Sequence, residues 1–199
     1  MSLEDRQSAL VAERRKQIFE AAIKVFARKG YHAATVSEIA REAGLGKGTL
    51  YEYIRSKKEM LFLVAEEGHA MILAEIDEIA KQDLSPLEKW RGAISVQLRL
   101  MDRYKETATA VLPQILGMSE HENSRLVQMN EKYIEKFSTI YEEGVAAGVF
   151  RQVDSMLLNV LVCNFCVLWG NSPEMREYCG SVDKFEDFLM DVIFKGIIA

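Results

Sequence analysis

The chain has 199 residues, 49% of them hydrophobic, with three prolines, twelve glycines and a formal net charge of −5; this suits one domain, or a small domain joined to a larger one, and excludes a low-complexity or repeat protein. The charge is uneven, with 12 Lys and Arg against 8 Asp and Glu in residues 1–60, and 13 against 22 in residues 61–199. A basic head on an acidic body suggests a polyanionic partner for the head, because Lys and Arg beside phosphates release condensed counterions, although so small a surplus is also ordinary solvated surface.

Few prolines, and Ala, Leu, Glu, Lys, Met and Ile at helical spacing, predict an all-α chain. From Glu13 to Lys29 the stripe Phe19, Ala22, Ile23 and Phe26 predicts a helix that Gly30 stops in the left-handed region. Thr35-Val36-Ser37-Glu38 has capping-box form and opens a short helix to Ala43 that buries Ile39 and Ala40. Gly44 ends it, Leu45 plugs the turn, and Lys47 to Ile54 reads as a second short helix with Leu50 inward. Ser56-Lys57-Lys58-Glu59, a second capping box, starts a long helix to about Gln82.

Ser85-Pro86-Leu87-Glu88 opens a helix carrying Trp90, Ile94, Leu98 and Met101. Pro113 is expected to kink or end the segment Glu106 to Met118. Ser119-Glu120-His121-Glu122 begins a helix with Leu126, Met129, Tyr133, Phe137, Ile140 and Gly144 inward, which Gly148 ends. Residues 154–170 form a helix apolar nearly all round, and 183–197 one with Phe185, Phe188, Leu189, Val192 and Ile193 on a stripe. The count is nine helices. The apolar run Met156 to Trp169 is broken by Asn159 and Asn164 and falls short of the roughly 18 to 20 residues a membrane span needs, and no signal peptide is evident. A soluble, cytoplasmic chain without a membrane partner is expected.

The stretch AGLGKGTLYEY, Ala43 to Tyr53, has the glycines and lysine of a phosphate-binding loop. A nucleotide loop needs a glycine five positions before its Gly-Lys pair, a Ser or Thr after it, and a strand leading in. Here Arg41 stands at the first place, Gly48 follows Lys47, and the lead-in is helical. Helix, tight glycine turn and second helix form instead a helix-turn-helix, whose second helix enters the major groove of DNA.

Residues 16–63, through KGYHAATVSEIAREAGLGKGTLYEYIRSKKEML, resemble the DNA-binding head of the TetR family of bacterial transcriptional regulators. The resemblance rests on Gly30-Tyr31, Thr35, Ile39-Ala40, Ala43-Gly44, Gly48-Thr49-Leu50-Tyr51, Lys57 and Leu61, with a fainter echo in Gly144-Val145-Ala146-Ala147-Gly148-Val149-Phe150-Arg151. It implies a three-helix head over residues 1–56 and a helical effector-binding and dimerisation body over 57–199. Thr35 can cap its helix and hold a DNA phosphate. Lys47, Gly48 and Thr49 open the recognition helix, where Lys47 can donate to guanine or pair with a phosphate. Tyr51, Tyr53 and Lys57 resemble the family's phosphate clamp, and Ser37 a position that meets bases in some members. Gly46 stands where the family often has Ser or Thr, which weakens the cap. Glu52 stands where an aromatic residue or histidine is frequent.

In the body, the family implies a small-molecule cavity, with Trp90, Met101, Tyr104, Met118, Met129, Tyr133, Phe137, Phe165 and Trp169 as candidate lining; plain core packing is the competing reading for each. Few charges fall on these stripes, so the expected effector is apolar or aromatic. Leu157, Leu161, Leu168, Phe185, Phe188, Leu189 and Val192 are the candidate interface of a homodimer that reads a palindromic operator on double-stranded DNA. Ligand binding is expected to release the operator, so the chain reads as a repressor. The alternative is a ligand-independent DNA-binding nucleoid organiser with the same head.

Cys163 and Cys166 have CxxC spacing, but i,i+3 on one helix suits neither a disulfide nor a metal knuckle. Cys179, His32, His69 and His121 are scattered. No metal, no cofactor and no catalytic residue is expected, and no enzyme motif is found.

Overall fold

The computed structural model describes residues 3–117 and 120–198. Met118, a candidate lining residue, and Ser119, an expected cap, lie outside the described residues. The described residues form ten helices: α1 (Leu3–Ala33), α2 (Val36–Glu42), α3 (Lys47–Tyr53), α4 (Lys57–Ala80), α5 (Pro86–Arg103), α6 (Lys105–Leu116), α7 (Glu120–Ala146), α8 (Ser155–Asn171), α9 (Pro173–Cys179) and α10 (Val182–Ile197). The fold is all-α, and no described strand is present beyond one isolated bridge between Phe150 and Ile198.

Helix α9 is the element the periodicity did not reveal. Ser172 caps it by accepting from the Met175 N–H at 3.1 Å, and Pro173 occupies its first turn. Its seven residues bury none of their own number, so no apolar stripe marks it. The helix α6 runs on through Pro113 to Leu116 rather than ending there. α1 begins ten residues before the expected start and carries a non-helical Gly30 at φ 73°, where the stop was expected.

The chain divides into two compact units. One takes the chain to Gly68 together with Glu106 to the end of α6; the other takes His69–Lys105 with α7 to α10. This division differs from the expected boundary at residue 56, because α4 runs unbroken through Gly68 and α6 belongs with the first unit. The Thr107 hydroxyl shows how α6 is held there, donating to the Ile23 carbonyl at 3.0 Å.

The core of the first unit is Ile18, Phe19, Ala22, Val25 and Phe26 from α1, Ile39 and Ala40 from α2, Leu50 from α3, and Ile54, Met60, Leu61 and Leu63. Each large side chain taken from water contributes about 1.5–3 kcal/mol before chain entropy is counted. In the second unit α5 is central, packing against α7, α8 and α10. Trp90 lies amid the rings of Phe137, Tyr141, Phe150 and Phe194, at centroid distances of 6.0, 5.8, 5.8 and 5.7 Å. At the α7–α8 link, a Cβ on Gly144 would stand 2.3 Å from the Phe150 ring, so only glycine lets that ring close over the helix end. Gly148 turns the chain at φ 70°, and the Tyr141 hydroxyl donates to the Arg151 carbonyl at 2.5 Å.

Candidate functional site

Thr35 is the N-cap of α2, and its Oγ1 accepts from the Glu38 N–H at 3.2 Å. Glu38 answers by accepting from the Thr35 N–H at 3.1 Å, completing the capping box that the sequence predicts. Lys29 also donates to Glu38, and with Thr35 it holds that carboxyl down at about 2. Thr35 and Ser37 remain exposed, while Ile39 and Ala40 point into the core.

The turn is fixed from both sides. Gly44 has φ 66°, a region costly to a side chain, and the Leu45 N–H donates to the Ala40 carbonyl at 2.9 Å. From α1, Gln17 donates to the Ala43 carbonyl at 2.5 Å. Twenty-six residues separate that pair, and no local pattern marks it. Gly46 is the N-cap of α3 and supplies no side-chain hydrogen bond, as its lack of a hydroxyl dictates.

On α3, Leu50 is buried, Lys47, Gly48, Tyr51 and Glu52 are exposed, and Thr49 and Tyr53 are half-buried. The Lys47 ammonium lies 5.9 Å from the centre of the Tyr51 ring, one turn along, so both present one stripe. Glu52 shares the neighbouring stripe with Gly48, whose missing side chain leaves the backbone open there.

Lys57, expected in the phosphate clamp, also has partners within the chain. Its ammonium donates to the carbonyls of His32 at 2.8 Å and Ala34 at 3.0 Å, and stands 4.5 Å from the centre of the Tyr31 ring. Two of its three N–H donors are spent on the corner that leads into Thr35.

In the second unit the candidate lining residues separate. Trp90, Tyr133, Phe137 and Trp169 are buried in the aromatic core; Met101, Tyr104 and Phe165 are partly buried against it, and Met129 is half-buried. Close packing holds the first four: Trp169 stacks on Phe185 at 5.1 Å and donates to Asp102 at 3.0 Å, while Tyr133 donates to Gln97. An open groove of about 530 Å³ lies between α4 and α7, lined by Leu73, Ile76, Ile140, Lys132, Lys136 and Asp77 among others, and by none of those candidates. Lys136 pairs with Asp77 across it.

The candidate interface also separates. Leu157, Leu161, Leu168, Phe188 and Val192 are exposed, Leu157 at 68% and Phe188 at 58%. Phe185 and Leu189 are not on that face: both are buried in the unit's own core. On α10 the stripe through 185 and 189 turns toward α5, and the residue before or after each lies about 100° round the helix. Met156 and Val160, not singled out by the sequence reading, join the exposed apolar face of α8.

Among the described residues no cluster of metal-ligating side chains is present, and the three cysteines are unpaired. Burial pushes the Cys163 and Cys166 thiols up, which makes them poor nucleophiles. Among the described residues no single helix is long and apolar enough to cross a membrane; α8 and α9 meet that test only together, across a 94° bend.

Residues 18–64 match the model for bacterial regulatory proteins of the TetR family, and residues 83–169 match the tetracycline repressor-like C-terminal domain. Among curated relatives, the regulator HbdR of Aromatoleum is 27% identical over 193 residues, covering 95% of this chain and 80% of that one. The fatty acid metabolism regulator protein of Bacillus subtilis is 26% identical over 136 residues, 68% of this chain and 70% of that one. The crystal structure of the regulator FadR from Bacillus subtilis with stearoyl-CoA superposes with a TM-score of 0.79 at 21% identity, covering 91% and 98% of the two chains. The helix-turn-helix geometry and both domain matches agree: the chain belongs to the TetR family of DNA-binding transcriptional regulators.

Proposed function

We propose that the protein is a homodimeric repressor that acts in the cytoplasm, binds a palindromic operator, and is released from it by a small apolar effector of the acyl class. The observation that carries the DNA half is the sorting of side chains in the head: Ile39, Ala40 and Leu50 are buried, while Thr35, Ser37, Lys47, Gly48 and Tyr51 face solvent together. In this reading Thr35 and Tyr51 hold phosphates, Lys47 and Thr49 reach base edges, Gly48 permits close approach, and Ser37 and Tyr53 flank them. The exposed apolar stripe of α8 and α10 supports the dimer.

The acyl class is favoured by the body interior and by the relatives. Among the described residues no charged side chain is buried there, and a fatty acid metabolism regulator is among the curated relatives. An effector with higher affinity for one body conformation shifts the population toward it, and α4 is common to both units.

Footprinting on the DNA flanking the protein's own gene, at two salt concentrations and with medium- and long-chain acyl-coenzyme A, tests this. A protected palindrome lost on adding the thioester is the expected outcome. Diffuse, salt-sensitive protection indifferent to every acyl compound overturns it.

A further inference from the structure

The interior of the second unit holds a line of neutral polar groups along the seam of α5, α7 and α8. Gln97 is fully engaged: its Oε1 accepts from the Tyr133 hydroxyl and its Nε2 donates to Cys163 Sγ at 3.3 Å. Asn159 is not. It is only 2% exposed, and neither its Nδ2 nor its Oδ1 has a hydrogen-bond partner; the buried Trp90 Nε1 is also unpaired.

The pairs Gln97–Cys163 and Trp169–Asp102 show that α5 and α8 run parallel with nearly constant register. Asn159, one turn before Cys163, therefore lies opposite Ala93, the small residue between Trp90 and Gln97 on the inward face of α5. A buried amide without partners is among the costlier features a core can retain. The Asn159 carboxamide offers two donors and one acceptor, all uncharged.

We propose that this stretch is the site where the effector's polar end is held, with the Asn159 carboxamide donating to a neutral carbonyl such as a thioester, ester or ketone. This rests on the reading of the body as an effector-binding unit and sharpens it. A free carboxylate is disfavoured by the same surroundings, because the buried polar side chains of this unit among the described residues are the uncharged Gln97 and Asn159, and the nearby charges of Glu186 and Asp102 are themselves negative.

The test is thermal unfolding and ligand titration of the full chain and of Asn159→Leu, with decanoyl-coenzyme A, methyl decanoate and decanoate as probes. The wild type is expected to bind the thioester and the ester and to ignore the acid. The variant, relieved of an unpaired amide, is expected to unfold at the same or a higher temperature without ligand, yet to bind both neutral probes about tenfold more weakly. Equal binding of the ester by Asn159→Leu, equal binding of the acid by the wild type, or an unliganded variant that unfolds several degrees lower each overturn the proposal. If no probe binds the wild type, the acyl reading of the effector falls by itself. The unliganded comparison then decides this site: a stabilised variant supports an idle amide, and a destabilised one overturns it.

Discussion

Lys57 carries a charge that is hydrogen-bonded within the chain. With two donors on the His32 and Ala34 carbonyls, it ties the end of α1 to the start of α2 and so orients Thr35. Lys57→Met is expected to cost about 1–2 kcal/mol of stability, discounted for its partial exposure, and to weaken operator binding without changing its salt dependence. Lys47→Ala is expected to weaken binding and to make the slope of log K against log salt shallower by about 0.9, as removal of one cation from the field of the phosphates requires. Binding isotherms at four salt concentrations separate the two; an equal slope change in both variants means that Lys57 touches DNA. Glu38 makes a second prediction. Its carboxyl is held at about 2 by Lys29 and Thr35, below its ordinary value, so its contribution to stability is present above about pH 4.5 and is lost as the pH falls toward 2. The melting-temperature gap between wild type and Glu38→Gln is therefore expected to close between pH 5 and 2, and a gap that stays constant over that range rules the linkage out.

At the scale of the element, glycines and caps decide where helices stop and how closely they meet. Gly144→Ala puts a methyl group 2.3 Å from the Phe150 ring, which is itself packed against Trp90 and Tyr141. A loss of about 1–3 kcal/mol or more is expected, seen as a lower melting temperature and partly restored by Phe150→Leu. Gly46→Ser works the other way: its Cβ meets nothing closer than Thr49 Oγ1 at 3.7 Å, and a hydroxyl there adds a missing cap, for a gain of a few tenths of a kcal/mol. These same signals explain how much was legible beforehand. Thr35, Ser85, Gly30, Gly44 and Gly148 each act within four residues of themselves, and each marks its boundary in the sequence. The Gln17–Ala43 bond, the hydrogen bonds of Lys57 and the idle amide of Asn159 depend on neighbours tens of residues away, and periodicity is blind to them. Helix α9 escaped because a helix of about two turns with no buried residue has no stripe to show.

For the whole molecule, the separation of two stripes on α8 and α10 is what would let a core also serve an assembly. One stripe, including Val162, Cys166, Trp169, Phe185 and Leu189, closes on α5 and α7; the other, with Leu157, Leu161, Leu168, Phe188 and Val192, is left to solvent. Large apolar side chains clustered on one exposed face are costly in water, and each contributes about 1.5–3 kcal/mol when a partner covers it. A two-fold pairing through this face also suits an operator whose half-sites repeat about one helical turn apart, because a single short recognition helix reads too few bases to hold a site alone. Leu157→Asp with Leu161→Asp is expected to yield a folded monomer by light scattering, with helical content retained and operator affinity reduced at least tenfold. Leu189→Ala, one turn from Val192 but facing inward, is the contrasting case: it is expected to cost about 2–5 kcal/mol of stability and to leave the dimer mass unchanged. If the double aspartate variant remains a dimer, the two-fold contact lies on another surface. If Leu189→Ala is the one that dissociates, the division of α10 into a core stripe and an interface stripe is wrong, and with it the structural basis for assigning the exposed face to a second copy of the chain.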